Sequence, residues 1–120
     1  MSEEVGRIPA GLGRAVELAR ERKAVGVVVL DLRGLSSATD YFLIASGRSD
    51  VQVRAISEHI LRSSRQEGRR PNHVEGMDQG RWVLIDYIHY VIHLFHPEVR
   101  DFYRLEALWG DGRRIELEEL

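Results

Sequence analysis

The sequence predicts an α/β domain in which helices pack on one mixed β-sheet. Three observations carry that reading. The window from Arg81 to Phe95 is the most apolar and most β-prone in the chain, and no helical period fits it. Two further apolar runs, 24–32 and 39–46, have the length and composition of strands. Before the first run and after the second, two stretches set apolar residues at helical spacing with charged side chains filling the other side. The order is helix, strand, strand, helix, strand, strand, strand, helix, a pattern met by a mixed sheet with helices packed on it.

Residues 1–10 are polar, and Pro9 with Gly11 punctuates them, so a flexible start is expected. The single domain is expected over 11–109. Its first helix, 11–23, buries Leu12, Ala15, Val16 and Ala19 and exposes Arg14, Glu17, Arg20 and Glu21. The run from Ala24 to Leu32 is continuously apolar, as in a strand covered on both faces, and it is expected to be the central strand. Gly34 ends it, and Tyr41, Phe42, Leu43 and Ile44 carry the second strand.

Ser49 followed by Gln52 is a capping-box signature for a second helix, with Val53, Ile56 and Ile60 as its buried stripe and Gly68 as its stop. A short strand is expected over 72–75, before Gly76. Strands then follow at 82–86 and 90–95, joined through Tyr87, Ile88 and His89 without a Gly or Pro, although tight hairpins favour residues of positive φ there. Pro97 suits the first position of a last helix, whose stripe is Val99, Phe102 and Tyr103, with Leu105, Leu108 and Trp109 continuing as an apolar edge. An acidic tail is expected over 110–120.

The bulk composition limits the function classes. With 43% apolar residues, 30% charged residues and a net charge of -2, the chain is an ordinary soluble domain. It lacks the positive excess of a protein that lives by gripping phosphate backbones. All basic residues but Lys23 are Arg, and the absence of Cys excludes disulfides, thiolate metal sites and cysteine nucleophiles. The first residues have no apolar signal core, and no run approaches a membrane span, so a cytoplasmic protein with no membrane partner is expected.

Period-two geometry puts Trp82, Leu84 and Asp86 on one strand face and Val83 and Ile85 on the other. A carboxylate resists burial, so Asp86 draws that face toward solvent and takes Trp82 with it. An aromatic anchor beside a charge is a common interface element.

Other chemistry is weaker. His89, His93 and His96 form a loose histidine group, but His96 has the wrong strand parity and no glutamate completes a metal set, so polar sites on a half-exposed strand are the favoured reading. Gly47-Arg48-Ser49 opens a helix but is not a phosphate loop. Asp31 and Asp40 lack the spacing of a magnesium-binding pair. Arg62, Arg65, Arg69 and Arg70 form a basic edge, read as a solvated helix face with at most a peripheral contact to RNA. No catalytic residue, cofactor or metal is expected. A nucleotide-handling enzyme is the alternative reading.

Several landmarks together resemble the ribosomal silencing factor (Iojap-like) family. They are Asp31-Leu32, the run from Ser36 to Gly47, Ser49, Val53, Val74-Glu75-Gly76, Trp82, Leu84, Asp86, Val91, Ile92, His93, and then Tyr103, Leu105, Glu106, Leu108 and Trp109. The resemblance spans most of the chain. It implies a nucleotidyltransferase-like fold without the catalytic carboxylates of true nucleotidyltransferases. It further implies a homodimeric, non-enzymatic repressor that binds the large ribosomal subunit at ribosomal protein L-fourteen and blocks small-subunit joining under nutrient limitation. Trp82 and Asp86 are carried over to that contact, with Tyr87 and Tyr41 as neighbours. One departure stands out: the family commonly has Gly-Asp after the hairpin tyrosine, whereas this chain has Ile88-His89.

Overall fold

A computed structural model describes residues 8–99 and 113–115. The expected flexible start up to residue 7, the Phe102 and Tyr103 stripe, the Leu105, Leu108 and Trp109 edge and most of the acidic tail lie outside the described residues. The elements are α1 (Ala10–Glu21), β1 (Val25–Asp31), β2 (Tyr41–Ser46), α2 (Asp50–Gln66), β3 (His73–Glu75), β4 (Trp82–Asp86), β5 (Tyr90–Phe95) and β6 (Arg113–Ile115). Residues 97–99 begin a further helical turn at Pro97.

All six strands form one sheet in the order β3-β4-β5-β2-β1-β6. Only β2 and β5 pair in parallel, in an unbroken register from Tyr41 with Tyr90 to Ser46 with Phe95. The other pairs are antiparallel, so the sheet is mixed, as expected. β2 is buried along its whole length, and with β5 it holds the middle of the sheet. β1 is therefore not the central strand. Its apolar run is buried only from Val28 onward. Before that, Gly26 adopts φ 59 and the register with β2 shifts between Val25 and Val28, which releases the first residues from full cover.

β6 was unforeseen, because it falls in the segment expected to be a tail. Three residues, Arg-Arg-Ile, carry no strand pattern of their own. Their pairing is fixed from outside, by Ile115 entering the core and by Arg113 Nη2 donating to Asp31 Oδ2 at 3.2 Å. Asp31 also takes two bonds from the Arg33 guanidinium, at 3.0 and 2.8 Å. These donors, Arg33 first, hold its carboxyl down at about 2.

α1 and α2 cover one sheet face. Leu12, Val16 and Ala19 of α1 and Val53, Ile56 and Ile60 of α2 meet Leu43, Ala45, Val83, Ile85, Ile92 and Leu94 in one buried cluster. The two helices run antiparallel, since Arg14 near the start of α1 meets Glu67 beyond the end of α2 at 3.0 Å. Ser49 caps α2 by accepting from Gln52 N at 3.1 Å. The return bond of the expected capping box lands one residue early, on Arg48 N, at 2.6 Å. The same Gln52 amide donates to the carbonyls of Arg22 and Lys23, each at 3.2 Å, and ties the end of α1 to the start of α2. Gly68, at φ 85, stops α2 with Arg69 N bonded to Ser64 O.

The β4 to β5 connection answers the missing glycine. Ile88 adopts φ 75, and His89 N donates to Tyr87 O at 2.9 Å, so the chain reverses through a γ-turn centred on a β-branched residue. Such a residue at positive φ costs on the order of 1–3 kcal/mol. Surrounding bonds hold it there. Asp86 Oδ1 accepts from Ile88 N at 2.7 Å, the Thr39 hydroxyl donates to Ile88 O at 3.0 Å, and Asp40 N donates to His89 O at 3.2 Å.

The Ile88 side chain is 57% exposed and packs little. Ile88→Gly should therefore stabilise the domain by about 1 kcal/mol, the relieved strain outweighing the added freedom of the unfolded chain. Thermal unfolding checks this, and a fall in melting temperature would show that the turn is not strained.

Candidate functional site

The sheet face away from α1 and α2 is where the expected anchor residues meet, at the margin of a second buried cluster of Val28, Leu30, Leu32, Phe42, Ile44 and Phe95 on which Trp82, Val91 and Val99 pack. β4 alternates: Val83 and Ile85 are fully buried toward the helices, while Trp82, Leu84 and Asp86 are half-buried on the other face. Register puts Phe95 beside Trp82, His93 beside Leu84 and Val91 beside Asp86. On the outer side, β3 sets Glu75 beside Leu84 and His73 beside Asp86, both exposed. The result is an apolar strip of Trp82, Leu84 and Val91 bordered by the carboxylates of Asp86 and Glu75. Glu75 bonds His73 Nε2 at 2.7 Å, whereas Asp86 meets no cationic side chain among the described residues.

Trp82 is held by its neighbours. Its indole N-H donates to His93 Nδ1 at 3.1 Å, and its ring lies 5.0 Å from the ring of Phe95. His93 in turn sits edge-on to Phe42 with centroids 4.5 Å apart. Gly76, at φ 87, lets the chain pass against the Trp82 backbone, where any side chain would collide. The indole is thus aimed before any partner arrives.

His93 departs from expectation. Rather than occupying a half-exposed site, it is 4% exposed, and burial pushes its pKa down to about 4. Accepting the indole proton at Nδ1 places its own proton on Nε2, and Nε2 is buried without a hydrogen-bond partner. Sequence reasoning missed this supporting role, although the parity of β5 already put His93 on the face of Val91 and Phe95.

The four predicted contact residues do not share a face. Trp82 and Asp86 do. Tyr41 and Tyr87 are buried in the helix-side cluster, 3% and 9% exposed, so they are not neighbours on the strip. Tyr87 stacks on Tyr90, and Tyr41 carries the Arg33 guanidinium over its ring. Tyr87 follows Asp86 by one residue, and one residue along a strand turns the side chain to the other face.

The remaining candidates separate. His89 is exposed in the turn with Asp40 at 3.7 Å, and His96 Nδ1 accepts from Glu98 N at 3.3 Å. No group of His, Asp and Glu fit to hold a metal exists among the described residues. At the Gly47 turn the amides of Arg48, Gln52 and Val53 are spent on Gln52 and Ser49, as in a capped helix start. Among the described residues no helix is long and apolar enough to cross a membrane.

His93 titrates near 4 when folded and near 6.5 when unfolded, so between those values the unfolded chain binds the extra proton. Stability should fall by about 3 kcal/mol as pH drops through that window. In denaturant titrations at both ends of the window, His93→Gln should lose this component. An undiminished fall in the variant would assign it elsewhere.

The comparisons agree with one another. The profile of the family described as "Ribosomal silencing factor during starvation" matches residues 7–120. Ribosomal silencing factor RsfS of Halalkalibacterium halodurans is 42% identical over 104 residues, which cover 87% of this chain and 89% of that one. A crystal structure from Bacillus halodurans superposes with a TM-score of 0.78 at 39% identity, covering 88% of this chain and 95% of the other. The mouse protein named mitochondrial assembly of ribosomal large subunit protein 1 is 33% identical over 97 residues, 78% of this chain and 42% of its own length. With the family profile, the sequence relatives and the structural neighbour in accord over most of the chain, this chain belongs to the ribosomal silencing factor family.

Proposed function

We propose that this protein represses translation by binding the large ribosomal subunit through ribosomal protein L-fourteen and sterically blocking the small subunit, under nutrient limitation and without catalysing a reaction. The observation that carries the reading is the pre-aimed Trp82 beside Leu84 and an Asp86 that meets no cationic side chain among the described residues. Such a strip suits a partner with an apolar cleft next to a basic group. Family membership supports the ribosomal target, and the name of the mouse relative supports the large subunit. The spent amides at the Gly47 turn favour this reading over a nucleotide-handling enzyme.

Trp82 and Asp86 make the contact in this reading. Tyr87 and Tyr41 act from beneath, as packing that fixes the end of β4 and the start of β2. Free in solution the protein is a homodimer, a state that sedimentation velocity reads directly.

Co-sedimentation with isolated subunits tests the proposal. Wild type should ride with large subunits and not with small ones. Trp82→Ala should weaken binding by on the order of 2 kcal/mol while circular dichroism stays native. Asp86→Asn keeps an acceptor for Ile88 N and loses only the charge, so Asp86→Lys should weaken binding further by adding repulsion. Equal losses for the two Asp86 variants would argue against a charge pair, and failure of wild type to sediment with large subunits would overturn the reading.

A further inference from the structure

The charge of this protein is unevenly spread along the chain, and the helix layer carries a positive excess. Residues 10–23 and 48–70, which form the helix layer and its ends, hold ten basic and five acidic side chains, although the whole chain carries -2. The net value used to set nucleic acid aside conceals a cationic layer.

Within that layer most carboxylates are already used. Arg14 bonds Glu17, Glu21 and Glu67, Arg69 shares Glu67, and Arg54 pairs with Asp50. Arg22, Lys23, Arg48, Arg62 and Arg65 are exposed and meet no carboxylate among the described residues. Two local devices gather them. The Gln52 amide binds Arg48 N on one side and the carbonyls of Arg22 and Lys23 on the other, which brings three cations to one end of the helix pair. Helical spacing sets Arg62 and Arg65 one turn apart. Arg22 and Arg62 line one shallow cleft with Ala55, Glu58 and His59.

We propose that this helix face binds the phosphate backbone of RNA, as a contact separate from the Trp82 strip and on the opposite side of the sheet. A phosphate backbone presents regularly spaced negative charges, and unpaired guanidinium groups spread over two helices engage it without base readout. Among the described residues the face offers no Phe, Tyr or Trp for stacking, so the contact is electrostatic, sequence-tolerant and strongly salt-dependent. Glu58, the unpaired carboxylate in the cleft, opposes it.

Fluorescence anisotropy of a labelled RNA hairpin with the full-length protein tests this without any ribosome, so its outcome is independent of the L-fourteen contact. Wild type should bind at low salt, with log affinity falling linearly in log salt. The triple variant Arg22→Glu, Arg62→Glu, Arg65→Glu, at exposed sites that leave folding intact, should lose about tenfold or more in affinity and lower the salt slope by about two to three. Glu58→Gln should bind severalfold tighter, and Trp82→Ala should bind like wild type. Absence of salt-dependent binding by wild type, or a triple variant that binds equally well, would overturn the proposal. So would tighter binding of polyglutamate than of the RNA, which would assign the face to an acidic protein.

Discussion

The parallel pairing of β2 with β5 is the constraint on which the rest depends. Parallel neighbours cannot be joined by a tight turn, so the chain must cross over between them. Here the crossover holds α2, β3 and β4, and its return path places β4 antiparallel beside β5. Every backbone group in the middle of the sheet needs a partner because β2 has no solvent-facing residue. That requirement fixes the alternation of Phe42 and Ile44 to one face and of Tyr41, Leu43 and Ala45 to the other. Through register it also fixes which residues of β5 and β4 share each face. The position of Trp82 is thus a consequence of a pairing two strands away.

The Trp82 strip shows how a recognition residue is held without being buried. Burial on both sides would hide the indole, and full exposure would leave it free to rotate and costly to order on binding. The structure takes a middle course, with one ring edge against Phe95 and the N-H committed to His93. A neutral imidazole in the core is the cost of that arrangement. Leu or Phe at position 93 would pack as well but would accept nothing from the indole.

Most of the architecture was legible because it is written in local patterns. β4 and β5 begin and end where β-branched and aromatic residues do, α2 starts at its cap, and Gly68 stops it. What escaped was set by distant partners. β6 is three residues made into a strand by Asp31 and by the space Ile115 fills. β1 has the composition of a central strand, yet β6 and β2 flank it one place from the edge. Tyr41 and Tyr87 were carried over as neighbours of Trp82 with the family resemblance, whereas strand parity turns them inward. Net charge, summed over the chain, hid the positive excess that the two helices gather when they fold side by side.

The sheet margin at β3 has a consequence for self-association. The outer strand β3 is three residues long and carries a histidine and glutamate already bonded to each other. A margin so short offers few free amides and carbonyls to an incoming strand, and charged side chains further discourage one. Continuous sheets shared between molecules, the usual route to fibrils, are thereby disfavoured.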